Sequence, residues 1–130
     1  MAANPSYAAT PRASSVIVPA TNDTSLTAPT NYALLFTPGA SGSKVEEIDV
    51  LGLGTTVAGR LNLFIYDGTN INLIDQYILI AITPSTTQQV FRRSFAYSNL
   101  FVPSGSVLRI SIMETGNESL LKVTAFGGDY

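Results

Sequence analysis

Short hydrophobic runs recur along most of the chain, and glycine, proline, asparagine or aspartate separates each run from the next. From residue 32 onward the runs are spaced by roughly ten residues, which is typical of strands in an antiparallel sandwich or barrel. The pattern predicts strands at residues 32–37, 44–53, 60–66, 72–82, 88–97, 106–113 and 119–126, with one more at 14–19. The predicted fold is all-β: a single antiparallel, jelly-roll-like β-sandwich of about eight strands.

Alternation of apolar residues is clearest in the segment 60–66. Leu61, Leu63 and Ile65 fall on one face of the predicted strand, and Phe64 and Tyr66 fall on the other. Aromatic side chains on the second face are shielded from water only if another segment packs on that face. We therefore expect the N-terminal segment or another subunit to pack against it.

The segment 71–82, INLIDQYILIAI, fits both helical and strand spacing. Its isoleucine content and its strand-like neighbours favour a strand. The run YILIAI is uncharged and β-prone, so as a free edge it would promote aggregation. We therefore expect this strand to be central or paired.

The first 29 residues differ in composition from the rest of the chain. Pro5, Pro11, Pro19 and Pro29 alternate with alanine, serine, threonine and asparagine. Proline fixes φ and removes an N–H donor, which favours extended backbone. We predict an extended N-terminal arm at 1–29 that contacts neighbouring subunits, followed by a sandwich domain at 30–130.

Charged residues make up only 12 % of the chain and hydrophobic residues 45 %, so much of the surface must be neutral or apolar. Such a surface is suited to being covered by a partner. The net charge of −2 and the scattered basic residues argue against nucleic acid as a partner. No cleaved secretion signal and no apolar run long enough to span a membrane is expected.

Histidine and cysteine are both absent. Their absence excludes imidazole bases, thiol nucleophiles and disulfides, and nearly all zinc and copper sites. Glu47 and Asp49 would project from one strand face about 7 Å apart, near the separation of glycosidase carboxyls. A solvated face beside Lys44 is the favoured interpretation, because no Trp platform accompanies the pair. We expect no enzyme activity and no cofactor.

The turn at 67–70, Asp-Gly-Thr-Asn, offers oxygen ligands of the kind that calcium binds, but it lacks the spacing of a calcium loop. Asp-Gly between two apolar runs is first a hairpin signal. We therefore expect no metal there.

Arginine and aromatic residues cluster at 91–97, where Arg93 would share a strand face with Phe91, Phe95 and Tyr97. These residue types are enriched at the centres of protein interfaces, although a structural ion pair explains the arginine nearly as well. The candidate interface residues are Val16, Ile17, Val18, Phe64, Tyr66, Phe91, Arg93, Phe95 and Tyr97.

Three segments carry a resemblance to a known group of proteins. They are residues 30–70 (TNYALLFTPGASGSKVEEIDVLGLGTTVAGRLNLFIYDGTN), 102–105 (VPSG) and 126–130 (FGGDY). The chain resembles small virion structural proteins of tailed bacteriophages, similar to capsid decoration or cement proteins. The resemblance implies a homo-oligomeric sandwich, a dimer or trimer, that binds the major capsid protein on the outside of the capsid.

Two other functions remain open from the sequence. One is a tail-fibre or baseplate subunit that binds a host glycan or receptor through tyrosine and phenylalanine. The other is a free-standing carbohydrate-binding module or glycosidase.

Overall fold

Eight β-strands make up the regular structure of residues 10–130, which are the residues that the computed structural model describes. The strands are β1 (Thr10–Ile17), β2 (Ala33–Phe36), β3 (Ser43–Gly52), β4 (Gly59–Tyr66), β5 (Ile71–Leu79), β6 (Arg92–Val102), β7 (Val107–Ile112) and β8 (Leu121–Asp129). These described residues contain no helix, and so no helix long enough to cross a membrane. The predicted all-β sandwich of about eight strands is confirmed.

The strands form two antiparallel sheets of four. Sheet A has the order β1-β8-β3-β6, and sheet B has the order β2-β7-β4-β5. Strand 1 pairs with strand 8, 2 with 7, 3 with 6 and 4 with 5. The chain therefore folds as one long antiparallel ribbon with the β4–β5 hairpin at its tip. The pairing of β3 with β8 and of β4 with β7 joins the strand pairs of this ribbon into two sheets.

The core lies between the two sheets and follows the period-two pattern of the sequence. Leu61 and Leu63 of β4 and Ile110 and Ile112 of β7 are fully buried, as are Ile48 and Val50 of β3. Each fully buried aliphatic side chain of this size contributes about 1.5–3 kcal/mol relative to an exposed one. The alternation that the sequence shows in β4 and β7 thus marks the core face correctly.

Strand β1 belongs to sheet A, so the structure differs from the predicted division into an arm at 1–29 and a domain at 30–130. All eight residues of β1 pair with β8. Arg12 donates to the carbonyl of Thr37 (2.7 Å) and to the carboxylate of Asp129 (3.1 Å), and the Ser43 hydroxyl donates to the same carboxylate. Proline is tolerated in β1 because β1 is an edge strand. Residues 1–9 of the predicted arm lie outside the described residues.

Strand β6 begins four residues later than predicted and ends five residues later, at 92–102 instead of 88–97. Between the pairs Glu47–Ala96 and Val45–Leu100, β6 contains two more residues than β3. Ser98 and Asn99 lie within the resulting irregularity. These polar residues resemble a strand end in the sequence, but the strand continues past them. A β-bulge of this kind cannot be read from hydrophobic alternation alone.

Strand β5 is confirmed as a strand, and of the two expected positions, central or paired, it is paired and not central. Within residues 10–130 it pairs with β4 on one side only and forms an edge of sheet B. Sheet position depends on how the ribbon is wound, and a strand's own sequence does not fix that winding.

Candidate interaction surfaces

Three of the candidate interface residues belong to the interior. Val18, Phe64 and Phe91 are each at most 3 % exposed. Phe64 was expected on a second, aromatic face of β4, and that face is covered within the chain at this position. These three residues therefore offer no surface to a partner, which corrects the sequence-based assignment.

The residues of β6 share a face as predicted, but it is the face directed toward sheet B. Phe95 pairs in register with the core residue Ile48, and its ring stacks on Tyr77 of β5 with centroids 4.0 Å apart. Tyr97 is half-buried and packs against the core. Arg93 is exposed, with its guanidinium carbon 5.2 Å from the centre of the Phe95 ring. The cluster closes the β5–β6 side of the sandwich, so only Arg93 is openly available there.

A hydrogen-bonded chain of three side chains crosses from one sheet to the other at this side. The Tyr97 hydroxyl donates to the Asp75 carboxylate at 2.6 Å, and the Tyr77 hydroxyl bonds to the Tyr97 oxygen. Since the single proton of Tyr97 goes to Asp75, Tyr77 is the donor to Tyr97. Burial raises the pKa of both tyrosines well above the ordinary value, and the charge of Asp75 raises it further in each. Both tyrosine hydroxyls are therefore protonated at neutral pH and link the two sheets.

The two candidates within β1, Val16 and Ile17, lie at the C-terminal end of this strand, which is an edge of sheet A. Val16 is half-buried against the core, whereas Ile17 is 49 % exposed. On the outer face of sheet A the register places Ile17 in one row with Lys122 and Leu51, and Leu51 is also exposed. Ile17 and Leu51 are thus exposed apolar residues on either side of Lys122, and only Ile17 was among the predicted interface residues.

Tyr66 belongs to an aromatic stack on the outer face of sheet B. The guanidinium carbon of Arg109 lies 3.9 Å from the centre of the Tyr66 ring and 4.1 Å from the centre of the Tyr32 ring. Arg109 is the cross-strand partner of both Phe64 and Leu34. We call Tyr32, Arg109 and Tyr66 the Arg109 stack. The alternation of β7 correctly directs Arg109 away from the core, but the two tyrosines reach it through register and loop geometry.

Two aspartates organise the loops that carry these tyrosines. The Asp23 carboxylate accepts hydrogen bonds from the backbone N–H groups of Ser25, Thr30 and Asn31, which fixes the loop that precedes Tyr32. The N–H of Asn31, with the other donors, holds the pKa of Asp23 below its ordinary value. The loop is thus tied down directly before Tyr32.

The second aspartate, Asp67, lies in the β4–β5 turn. Its carboxylate accepts from the N–H groups of Asn70 and Thr69, which lower its pKa, with Asn70 contributing most. The Tyr66 hydroxyl donates to the Gly68 carbonyl at 2.9 Å. The predicted hairpin is confirmed, and it anchors the second tyrosine of the stack.

Glu47 and Asp49 face the same side of β3, as predicted, on the outer face of sheet A. Their register partners on β6 are Ala96 and Ser94, both exposed. A hydrogen bond with Asp49, together with its negative charge, raises the pKa of Glu47. Lys44 pairs instead with Glu46, with Nζ and Oε1 3.8 Å apart. The two half-buried carboxylates lie on a sheet face between Ala96 and Ser94 of β6 and Phe126 and Thr124 of β8.

The free edge of sheet B carries exposed isoleucines. Ile78 is 55 % exposed and Ile80 is 52 % exposed, and Ile74 is also exposed. Within β5 the only charged residue is Asp75, whose carboxylate is occupied by Tyr97 and by the backbone N–H of Gln76. Although β5 pairs with β4, its other side is an apolar edge within the described residues.

A shallow depression of about 180 Å³ lies beside the β6 irregularity. It is lined by Lys44, Ser98, Asn99, Phe101 and Tyr130, and the two aromatic rings are tilted against each other with centroids 5.7 Å apart. Both rings are exposed. Aromatic, amide and hydroxyl groups are therefore close together at one end of β6.

Comparison with known proteins gives no further assignment. No protein-family model, curated protein or solved structure matches the chain.

Proposed function

We propose that this protein is a virion structural protein, a capsid decoration subunit that binds the outside of a shell of major capsid proteins and stabilises it. The observation that carries the proposal is the distribution of exposed apolar side chains. They occur on the outer face of sheet A (Ile17, Phe126), on the outer face of sheet B (Tyr32, Leu34) and on the β5 edge (Ile78, Ile80). Exposed apolar surface on several sides suits a subunit with several neighbours.

Such a subunit stabilises the shell by burying surface against it, and the contributions of the many copies add up. A standard protein interface buries about 1,200–2,000 Å². Many symmetry-related copies convert modest individual affinities into a large gain in particle stability. The low charge of the chain fits this role, since little charge must lose its water when the faces are covered.

The finer fold assignment, a jelly roll, is part of the same proposal. Its support is the ribbon winding, in which strands 1 and 8, 2 and 7, 3 and 6, and 4 and 5 pair in two four-stranded sheets. Double-sheet jelly rolls of eight strands occur in viral capsid proteins.

A homo-oligomer is also proposed, with a second copy of the chain paired along β5. Three edges of the sheets carry features that oppose strand addition: Pro11 and Arg12 on β1, the short length of β2, and Arg92 with Arg93 on β6. From Gln76 to Leu79, β5 carries neither charge nor proline. Two antiparallel copies of β5 would therefore meet without opposing like charges there, whereas two copies of β6 would bring arginines together.

The decoration role is tested on particles from the phage that encodes the chain. Particles made without the protein are heated with and without added purified protein, and genome release is followed with a DNA-binding dye. We expect the added protein to raise the release temperature, and electron microscopy to show its density on the outside of the shell. Equal release temperatures would rule out stabilisation, and density confined to the tail would overturn the proposed location.

A tail-fibre or baseplate role with glycan binding is the alternative, and the depression beside β6 favours it. Phe101 and Tyr130 present exposed rings on which a sugar can stack, and Asn99 and Ser98 supply hydrogen-bonding groups. A glycan array probed with the isolated protein and with Phe101→Ala tests this role. Binding that Phe101→Ala abolishes would support it, and no binding by the wild-type protein would exclude it for the glycans on the array.

A further inference from the structure

The Arg109 stack holds a positive charge in a fixed orientation on the outer face of sheet B. The guanidinium lies between two aromatic rings, with its central carbon about equally distant from both centroids, at 3.9 and 4.1 Å. Each ring is held in turn by a loop or turn that an aspartate organises, Asp23 before Tyr32 and Asp67 after Tyr66. Stacking on two rings restricts the rotamers of the arginine, so the entropy lost when a ligand binds is reduced.

Arg109 has hydrogen-bonding capacity that the described part of the chain does not use. Arg12 is paired with Asp129, and Arg60 is paired with Glu114. Arg109 forms no ion pair with any acidic residue between 10 and 130, and its Nε is buried without an acceptor. A guanidinium has five N–H donors, and those on the terminal nitrogens form the fork that binds anionic oxygens in pairs. Within residues 10–130, the Arg109 guanidinium is thus an oriented hydrogen-bond donor without an acceptor.

The surroundings of Arg109 decide which anion fits. Its cross-strand neighbours are Phe64 and Leu34, and Val107 and Ser111 lie on the same face of β7. None of these four residues is basic, so a single positive charge is available, which matches a carboxylate better than a doubly charged phosphate. Leu34 is 52 % exposed beside it and offers apolar contact. An Asp or Glu side chain that is followed or preceded by an apolar residue in a protein supplies both the carboxylate and the apolar contact.

We propose that the Arg109 stack is a docking point for an Asp or Glu side chain of a protein partner, with Leu34 contacting an apolar residue next to it. Tyrosine and arginine are the residues most enriched in interface hot spots, which agrees with this composition. The identification of that partner as the capsid shell rests on the proposed function, but the carboxylate specificity of the stack does not.

The specificity is tested on the purified full chain by NMR, following the Nε–H resonances of its five arginines. The probe is the blocked dipeptide acetyl-Leu-Glu-amide, and acetyl-Leu-Gln-amide is its uncharged control. We expect the glutamate probe to shift the Arg109 resonance saturably, with a Kd at least tenfold lower than at any other arginine. The glutamine probe should leave it unchanged.

Two variants complete the test. Arg109→Lys keeps the charge but loses the planar fork, and we expect it to weaken binding at least fivefold, read from the Leu34 methyl resonances. Arg93→Gln removes an exposed arginine that lies over a different aromatic ring, that of Phe95, and should leave the binding of the probe unchanged. Because the wild-type measurement needs no variant, the test does not depend on whether Arg109→Lys folds.

Parallel shifts of all five arginines, or equal binding of both dipeptides, would overturn the proposal. Tighter binding of inorganic phosphate than of the glutamate probe would overturn the choice of carboxylate. If the glutamate probe binds as expected but the protein does not bind capsids, the decoration role fails while the docking point stands.

Discussion

Tyr97 of sheet A donates a hydrogen bond of 2.6 Å to the carboxylate of Asp75 of sheet B, so a polar contact bridges the two layers at the β5–β6 side of the sandwich. Tyr77 extends this contact by donating to the Tyr97 oxygen, and its ring stacks on Phe95. A buried donor or acceptor that loses its partner is costly, so the bridge stabilises the fold only while all three groups are present.

Removal of the central hydroxyl should destabilise the protein. Tyr97→Phe leaves the Tyr77 hydroxyl and one Asp75 oxygen without their partner, and we expect a loss of about 1–3 kcal/mol in the free energy of unfolding. Tyr66→Phe is the matched control, because its hydroxyl bonds only to an exposed turn carbonyl. The control should change the free energy by about 0.5 kcal/mol or less. Urea unfolding at pH 7 measures both, and equal midpoints would contradict a stabilising bridge.

Alkaline pH should weaken the fold through the same tyrosines. The pKa of Tyr77 and that of Tyr97 are raised in the folded state, mainly by burial. An unfolded tyrosine ionises near pH 10, so the stabilisation is fully present below about pH 10 and is lost as the pH rises above it. The free energy of unfolding should therefore fall steeply above pH 10, and less steeply in Tyr97→Phe. Urea unfolding between pH 8 and 11 tests this, and identical pH profiles would refute it.

Deletion of residues 1–17 should prevent stable folding, contrary to what an arm separate from the domain would give. The deletion removes β1, exposes the edge of β8, and eliminates the bonds from Arg12 to Asp129 and from Ser14 to the Leu35 carbonyl. A deletion of residues 1–9, which removes none of these contacts, is the comparison. Thermal unfolding followed by circular dichroism should show a large decrease only for the longer deletion. Similar melting temperatures would show that β1 is dispensable.

A lysine on the free edge of β5 should reduce self-association. Ile78→Lys places a charge where two copies of the chain are proposed to pair, and edge lysines oppose strand addition. Since Ile78 is exposed, the monomer should retain its stability within about 0.5 kcal/mol. Sedimentation velocity over a range of concentrations should show association of the wild type but not of the variant. Lys122→Ala, away from β5, serves as the control.

The eight strands could be predicted from the sequence because short apolar runs between turn residues mark them, and in some, such as β3 and β8, buried positions also alternate. Predicted and observed segments overlap for every strand, and the hairpin at Asp67 was identified from Asp-Gly alone. The position of a strand within a sheet could not be predicted, since it depends on contacts between residues distant in sequence. That is why the sequence could not distinguish a central from an edge position for β5, and why β1 was expected to lie in an arm.

The candidate surfaces were predicted less well, for a related reason. Alternation indicates that Phe95 and Tyr97 share a face, but not whether that face points to the core or to solvent. The alternation within β7 places Arg109 on the outer face, yet its contact with Tyr32 and Tyr66 depends on the register of three strands and on the loop that Asp23 organises. Side chains brought together by register leave no local signal in a single sequence.

The pairing of β1 with β8 also has a consequence for synthesis. Thr10 is synthesised well before its partner, Asp129, because the two lie at nearly opposite ends of this sequence. The β4–β5 hairpin can form early, because its strands are joined by a short turn, and pairing can then proceed outward along the ribbon. Sheet A has all four of its strands only when the last of them has been translated. We therefore expect this sheet to be completed late, and slowly compared with formation of the hairpin.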